Sequence, residues 1–171
     1  GQVEKVILNT TTGLVLLRNG RIAALTTKST PFSAIPEELQ GRAVDLAATD
    51  KAAAAVTSSG QVFVWGSGDY GILEVPAGLQ GNAASIEAGR AHFSALTSDG
   101  SAISWGSGNF HQTDVPSSLG RTSVTALYAG SYQNYAVESS GKVTSWGLRG
   151  YLMGTDGYGR DVFVRLISGG R

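Results

Sequence analysis

The chain has no cysteine, which removes disulfides, thiolate metal sites and cysteine nucleophiles together. Excess charge of either sign is missing too: thirteen basic and thirteen acidic residues cancel, and no block of like charge occurs. A nucleic-acid groove needs a concentrated basic face, so no nucleic-acid partner is expected. A polybasic membrane patch is disfavoured on the same ground. No apolar run approaches the ~20 residues that cross a bilayer, and no membrane insertion is expected. The N-terminal stretch lacks the pattern of a secretory signal. Val3 to Thr12 reads as folded material, so Gly1 is expected to follow a processing site or a cloning boundary. Proline is scarce, at 4 residues, while glycine is abundant, at 24 of 171. With 15% charged residues and steady apolar content, this is the composition of a turn-rich all-β fold and not of a disordered chain.

What is present is a repeat. The only tryptophans are Trp65, Trp105 and Trp146, each followed by glycine, and their period of about 40 residues is that of a repeat architecture. Four units align. The turn glycines are Gly20, Gly60, Gly100 and Gly141, and the tryptophan column reads Leu25, Trp65, Trp105 and Trp146. Pro36, Pro76 and Pro116 form a further column, with Leu39, Leu79 and Leu119 after it. The fourth unit departs there, with Thr155 to Gly159 in place of the Val-Pro segment.

Each unit opens on a short apolar stretch, such as Lys5–Leu8 or Ser85–Ala88, read as an innermost strand. A second strand follows, in which Val15, Ala55, Ala95 and Ala136 form a small or β-branched column suited to tight packing of sheet on sheet. Asn19-Gly20 and Asp99-Gly100 then predict two-residue hairpin turns with both central residues at positive φ. The third strand alternates, placing Phe63 with Trp65 and Ile103 with Trp105 on one face. A buried tryptophan there removes ~150–250 Å² from water, on the order of 4–6 kcal/mol before entropy. A fourth, outer strand is expected near the Val-Pro segment, where proline suits an edge.

In-phase antiparallel sheets of this length predict an all-β β-propeller with blades of about 40 residues. The segment 1–171 divides into repeats of about 3–42, 43–82, 83–122 and 123–163, with the start of a fifth over 164–171. Spacing of two rather than 3.6 excludes an α-solenoid.

The run Ala88 to Gly100, then Trp105-Gly106, then Phe110 to Pro116, resembles the repeat of the regulator-of-chromosome-condensation superfamily. It is most similar to the short-repeat branch that includes the bacterial β-lactamase inhibitory protein of the second type. The resemblance covers units two to four well and unit one weakly, because Leu25 replaces tryptophan. It implies a seven-bladed propeller used as a protein-binding surface; other members are guanine-nucleotide exchange factors or ligase-associated modules. Four units are too few for seven blades, and Val164 to Gly169 reads as a fifth innermost strand. The expectation is therefore an open arc, part of a longer protein or completed by another chain.

Gly66-Ser67-Gly68-Asp69-Tyr70-Gly71 matches the dinucleotide fingerprint G-x-G-x-x-G. That fingerprint needs a helix N-terminus to hold pyrophosphate, and none is predicted, so the segment is read as a structural turn and no cofactor is expected. His92 and His111 are the only histidines, too few for a metal site without a carboxylate cluster. By the resemblance, His92 bonds backbone between blades; His111 takes a position usually held by glycine, in a surface loop. Asn9-Thr10-Thr11 is a glycosylation sequon. No triad or paired-carboxylate arrangement has a defensible spacing, and inner-strand residues are mostly apolar or small, so an enzyme with a central-channel site is disfavoured.

The candidate binding residues are those that vary where the repeat is otherwise constant. The loops between first and second strands read Thr10-Thr11, Asp50-Lys51, Arg90-Ala91 and Ser131-Tyr132, all on one face of a propeller. Arg90 and Tyr132 are of hot-spot type; the alternative is an ordinary solvated loop. Tyr70, Phe110 and Tyr151 recur in phase and either pack on the next blade or form an aromatic patch. The function expected is a non-catalytic, protein-binding scaffold or assembly subunit. The alternative is a regulatory factor, exchange-factor-like or inhibitor-like, acting through one loop face.

Overall fold

The computed structural model describes residues 2–8, 13–26 and 28–148. The sequon at Asn9, Tyr151, the Thr155–Gly159 departure and the fifth-strand candidate lie outside the described residues. The four units form four three-stranded antiparallel sheets in an open arrangement. Sheet 1 holds β1 (Val3–Leu8), β2 (Gly13–Leu17) and β3 (Ile22–Ala24). Sheet 2 holds β4 (Ala43–Ala48), β5 (Ala52–Thr57) and β6 (Val62–Gly66). Sheet 3 holds β7 (Ala83–Ala88), β8 (His92–Thr97) and β9 (Ala102–Gly106). Sheet 4 holds β10 (Val124–Ala129), β11 (Gln133–Glu138) and β12 (Val143–Gly147). The innermost strands β1, β4, β7 and β10 lie side by side, as in propeller blades around an axis. Each has an extra residue near its start, opposite one residue of the second strand, a bulge that bends the strand.

The core sits between sheets. One cluster joins Leu14, Leu16, Ile22 and Phe32 to Leu46, Ala53, Ala55 and Trp65. A second joins Ala52, Ala54, Val56, Val62 and Ile72 to Ile86, Phe93, Ala95 and Trp105. A third brings Leu119 and Leu96 to Leu127, Ala136 and Trp146. Each tryptophan faces the preceding unit and donates its indole N–H to a loop carbonyl there. Trp65 Nε1 reaches Phe32 O at 3.0 Å, Trp105 Nε1 reaches Ile72 O at 3.0 Å, and Trp146 Nε1 reaches Gln112 O at 2.9 Å. The small column is buried as expected at Val15, Ala55, Ala95 and Ala136.

Two local expectations change. The hairpin turns are three-residue connections, because only the glycine has positive φ: 77° at Gly20 and Gly60, 86° at Gly100 and 85° at Gly141. Gly20 N donates to Leu17 O and Leu17 N to Arg21 O, both at 2.9 Å, the pattern of a type I turn closed by a glycine bulge. Asn19 and Asp99 stay out of the left-handed region. Their side-chain oxygens instead accept from Arg21 N at 3.2 Å and Ser101 N at 3.3 Å. Glycine is required twice over at position 20, since a Cβ there would stand 2.7 Å from the Gly41 carbonyl carbon.

The proline column does not carry a fourth strand among the described residues. Pro36, Pro76 and Pro116 precede short 3-10 turns (Glu37–Leu39, Ala77–Leu79 and Ser117–Arg121) whose Leu39, Leu79 and Leu119 are buried. In sheets 1 and 2 a glutamine side chain takes the place of the outer strand. The Gln80 amide accepts from Val62 N and donates to Val62 O, both at 2.9 Å, and Gln40 does the same for Ile22 at the same distances. The edge is thereby satisfied locally.

Candidate functional site

The loops between first and second strands and the loops after third strands lie on one face because the backbone ties them. Ser67 N donates to Lys51 O at 2.9 Å, Ser107 N to Ala91 O at 2.9 Å, and Leu148 N to Tyr132 O at 3.0 Å. Neighbouring units are stitched the same way: Asp50 N donates to Arg90 O at 3.0 Å and Arg90 N to Ser131 O at 3.1 Å. Four candidate residues from three sheets form one chain of contacts on this frame. Arg90 Nε donates to Asp50 Oδ2 at 3.0 Å, and Nη1 donates to the Tyr132 hydroxyl oxygen at 3.3 Å. The Tyr132 ring meets Phe110 edge-on, with centroids 4.9 Å apart.

The remaining candidates border this chain. Lys51 Nζ lies 3.9 Å from Asp69 Oδ2, with both side chains largely exposed. The exposed Tyr70 hydroxyl accepts from Asn109 Nδ2 of the next unit at 3.2 Å. The two described in-phase aromatics, Tyr70 and Phe110, each touch the next unit and also remain exposed. Tyr70 also has φ 62°, a left-handed conformation that costs a bulky residue about 1–2 kcal/mol. His111, at φ 63°, is exposed as expected and holds Asp114 Oδ2 at 2.8 Å. The Gly66–Gly71 segment is followed by turns that seat Ile72 under Trp105.

His92 departs from the resemblance. It bonds a side chain of the next unit rather than backbone: its Nε2 is 2.9 Å from Asn134 Oδ1. Asn134 Nδ2 donates to Gln112 O at 2.9 Å, which orients the amide so that His92 carries its proton on Nε2. Ser94 Oγ donates to the same Asn134 oxygen at 2.7 Å and lies 2.6 Å from Ser104 Oγ. His92, Ser94, Gln112 and Asn134 are all buried. Burial holds the imidazole pKa below its ordinary range, against the partial opposition of the Asn134 hydrogen bond.

The sequence reading also passed over a group on the inner strands. Asp45 Oδ1 accepts from Lys5 Nζ and Leu46 N, both at 2.9 Å, and Oδ2 accepts from Ile86 N at 2.8 Å. It thus links three innermost strands. Burial pushes the nearby Glu87 carboxyl up to about 7, with Lys5 opposing and Asp45 reinforcing the shift. The available signal was an aspartate and a glutamate inside otherwise apolar stretches, Val44-Asp45-Leu46 and Ile86-Glu87-Ala88. Among the described residues no three His, Asp or Glu side chains are grouped to hold a metal ion.

The family model of the regulator of chromosome condensation (RCC1) repeat matches residues 43–72 and 83–112. These two units match the RCC1 repeat. The matched spans hold the first three strands of sheets 2 and 3 and the loops that carry Asp50, Tyr70, Arg90 and Phe110. No curated protein sequence matches the chain. The fold is similar to that of human WBSCR16, at 16% identity and TM-score 0.65, over 86% of this chain and 48% of that one. It is similar to the ectodomain of the Arabidopsis thaliana receptor kinase ACR4, at 19% identity and TM-score 0.64, over 85% of this chain and 50% of that one. Yeast RCC1 (Prp20), solved bound to Kap60, matches at 20% identity and TM-score 0.64, over 85% of this chain and 42% of that one. At such identities the likeness establishes the propeller fold. The chain spans about half the length of these structures or less.

Proposed function

We propose that this chain is a non-catalytic, protein-binding propeller segment that works as a scaffold or assembly subunit and recognises its partner through the Asp50–Arg90–Tyr132–Phe110 face. One observation carries the reading. A guanidinium and two aromatic rings, drawn from separate sheets, are fixed in place by each other and by a backbone-stitched loop frame, yet stay accessible. Pre-ordered arginine and aromatic side chains lose little entropy on binding, which is what concentrates affinity in such groups. Tyr70 and Lys51 extend the surface. The left-handed backbone of Tyr70 lies in the Asp69–Ile72 turn that delivers Ile72 beneath Trp105, and its side chain stays exposed. Relatives of the fold lend support: the yeast structures are described with Kap60 and with binding to Gsp1p and histones.

The test is comparative affinity purification with the chain as bait and the Arg90→Ala/Tyr132→Ala double variant as control. Proteins held by the parent chain and lost by the variant are expected; identical sets from both baits overturn the assignment of this face.

A second surface favours the subunit reading. Val6 is 49% exposed, whereas its equivalents Leu46, Ile86 and Leu127 are 0%, 0% and 4% exposed beneath the preceding sheet. Leu25 is 56% exposed where Trp65, Trp105 and Trp146 are 7%, 7% and 8%. This sheet face is built like those that the molecule covers three times elsewhere, and a further sheet, from another chain or from further repeats, would suit it.

A further inference from the structure

The buried His92 sits directly beneath the candidate face. It follows the Gly89–Arg90–Ala91 loop, and its ring lies against that backbone: a Cβ on Gly89 would stand 2.4 Å from His92 Nδ1 and 2.8 Å from Gly130 O. Among the described residues Nδ1 has no hydrogen-bond partner. The other nitrogen is committed to Asn134, whose remaining bonds run to Ser94 and to the carbonyl that also receives Trp146. The ring thus has one free site for a proton, and that site faces packed backbone.

We infer that His92 is a proton-operated latch, in which protonation of Nδ1 releases the junction between sheets 3 and 4 and with it the Arg90–Tyr132–Phe110 cluster above. The inference rests on the reading of that cluster as the binding face. A second N–H on the imidazole finds no acceptor in place and must displace the Gly89–Arg90 loop or the Asn134 amide. Either movement breaks the stitch from Arg90 N to Ser131 O. Burial favours the neutral ring, so proton uptake favours the open junction.

Among the described residues no group on the packed elements holds a counter-charge for the ring. Glu87 on β7 pairs with Ser94 on the same side of sheet 3, but it takes up its own proton near pH 7. Arg90 is of like charge and is bound to Asp50. Asp114 and His111, in the loop after β9, are paired with each other. Glu138 lies at the far end of β11, bonded by the hydroxyls of Thr122 and Thr144. Tyr128 and Tyr135 are cross-strand partners on the opposite side of sheet 4, and Tyr132 is engaged by Arg90.

The three tryptophans provide the test, one at each junction. The full chain carrying 5-fluorotryptophan is titrated by fluorine NMR from about pH 7.5 to about pH 5, with the histidine ring nitrogens followed in parallel. Expected is loss of the native Trp146 signal with the midpoint of His92, together with loss of the Arg90 Nε–H signal, while Trp65 and Trp105 hold. His111 is exposed but adjoins Gln112, the residue that receives the Trp146 indole, so its ring is followed in the same spectra as the competing source of any response. A flat Trp146 signal, a response that follows His111, or a His92 that stays neutral throughout overturns the latch. His92→Gln, which keeps a donor for Asn134 but cannot titrate, abolishes the response; persistence overturns the proposal. Should that variant not fold, the parent titration decides alone. None of these signals needs a partner. If the Arg90→Ala/Tyr132→Ala bait captures what the parent captures, the binding face falls while the titration still judges the latch.

Discussion

Where sheet 2 meets sheet 3, Ala52, Ala54 and Val56 lie against Phe93, Ala95 and Trp105. Where sheet 3 meets sheet 4, the matching positions are His92, Ser94 and Leu96 against Asn134, Ala136 and Trp146. Ile72, which seats Trp105, is replaced by Gln112, which seats Trp146. The backbone and the indole bond are the same; the contents of the junction are not. An apolar junction gains from every area buried and is indifferent to register beyond shape. A polar one contributes about 1 kcal/mol net per satisfied hydrogen bond, and it loses more when one partner is removed. The first arrangement holds sheets together. The second specifies one alignment and makes that alignment conditional on the state of its groups.

The largest effect is expected from emptying the apolar junction. Phe93 is fully buried with its ring centroid 5.4 Å from that of Trp105, so Phe93→Ala should lower unfolding free energy by about 3–5 kcal/mol in urea titration. Its counterpart at the polar junction, Asn134→Ala, should cost about 1–3 kcal/mol, because it strands the His92 N–H, the Ser94 hydroxyl and one bond to Gln112 O. Transplanting the apolar set, His92→Ala with Ser94→Ala and Asn134→Phe, removes Asn134 together with both donors to its oxygen. It should therefore fall within about 1 kcal/mol of the parent. A triple variant as destabilised as Asn134→Ala alone would show that shape, not polarity, separates the two junctions.

Two titratable groups on the same side of sheet 3 set opposite responses to pH. His92 binds a proton less readily folded than unfolded, so its contribution is complete above its ordinary pKa of 6.5 and is lost as pH falls below it. Glu87 behaves in the reverse sense. Its folded pKa of about 7 lies above the ordinary 4.5, so acidification through that window stabilises the fold and alkalinisation removes the gain. The two oppose each other in the parent chain. Glu87→Gln leaves the histidine term alone, and its urea midpoint should drop more steeply between about pH 7 and about pH 5.5 than the parent's. Equal slopes would show that Glu87 does not titrate in this window.

The repeat was legible because each unit repeats its most visible residues in phase: the glycine whose turn allows no Cβ, the tryptophan that reaches back one unit, and the alanine column between sheets. What the sequence misled on came from chemistry that the period cannot encode. Asn19-Gly20 has the letters of a two-residue turn, yet the asparagine side chain bonds Arg21 N and keeps its own backbone out of the left-handed region. The outer strand was expected at the prolines, but in units one and two a glutamine four residues on supplies an amide that saturates the edge. Asn134 stands in a column with Gly13, Ala53 and Phe93, and His92, Ser94 and Gln112 stand where unit two has Ala52, Ala54 and Ile72; those mismatches were the signs of the buried network. The candidate loop residues were picked from loop position alone, while the bonds that join Asp50, Arg90 and Tyr132 needed coordinates.

The smallest effect on the fold, and the sharpest on recognition, is expected where the polar junction reaches the surface. Arg90 and Asp50 form an exposed pair, and such pairs contribute little to stability because water screens them. Arg90→Ala should leave the unfolding midpoint unmoved, in contrast to Asn134→Ala two residues beyond Tyr132 in the facing loop. Loss of the guanidinium also frees Tyr132 from its hydroxyl bond, so the two residues are expected to act as a unit. In a binding titration with a partner recovered by the parent bait, each single alanine variant should weaken affinity about tenfold or more. The double variant should then lose less than the sum of the two, as coupled neighbours do. Additive losses would mean that Arg90 and Tyr132 meet the partner separately, and that the contact between them serves the junction below and not the face.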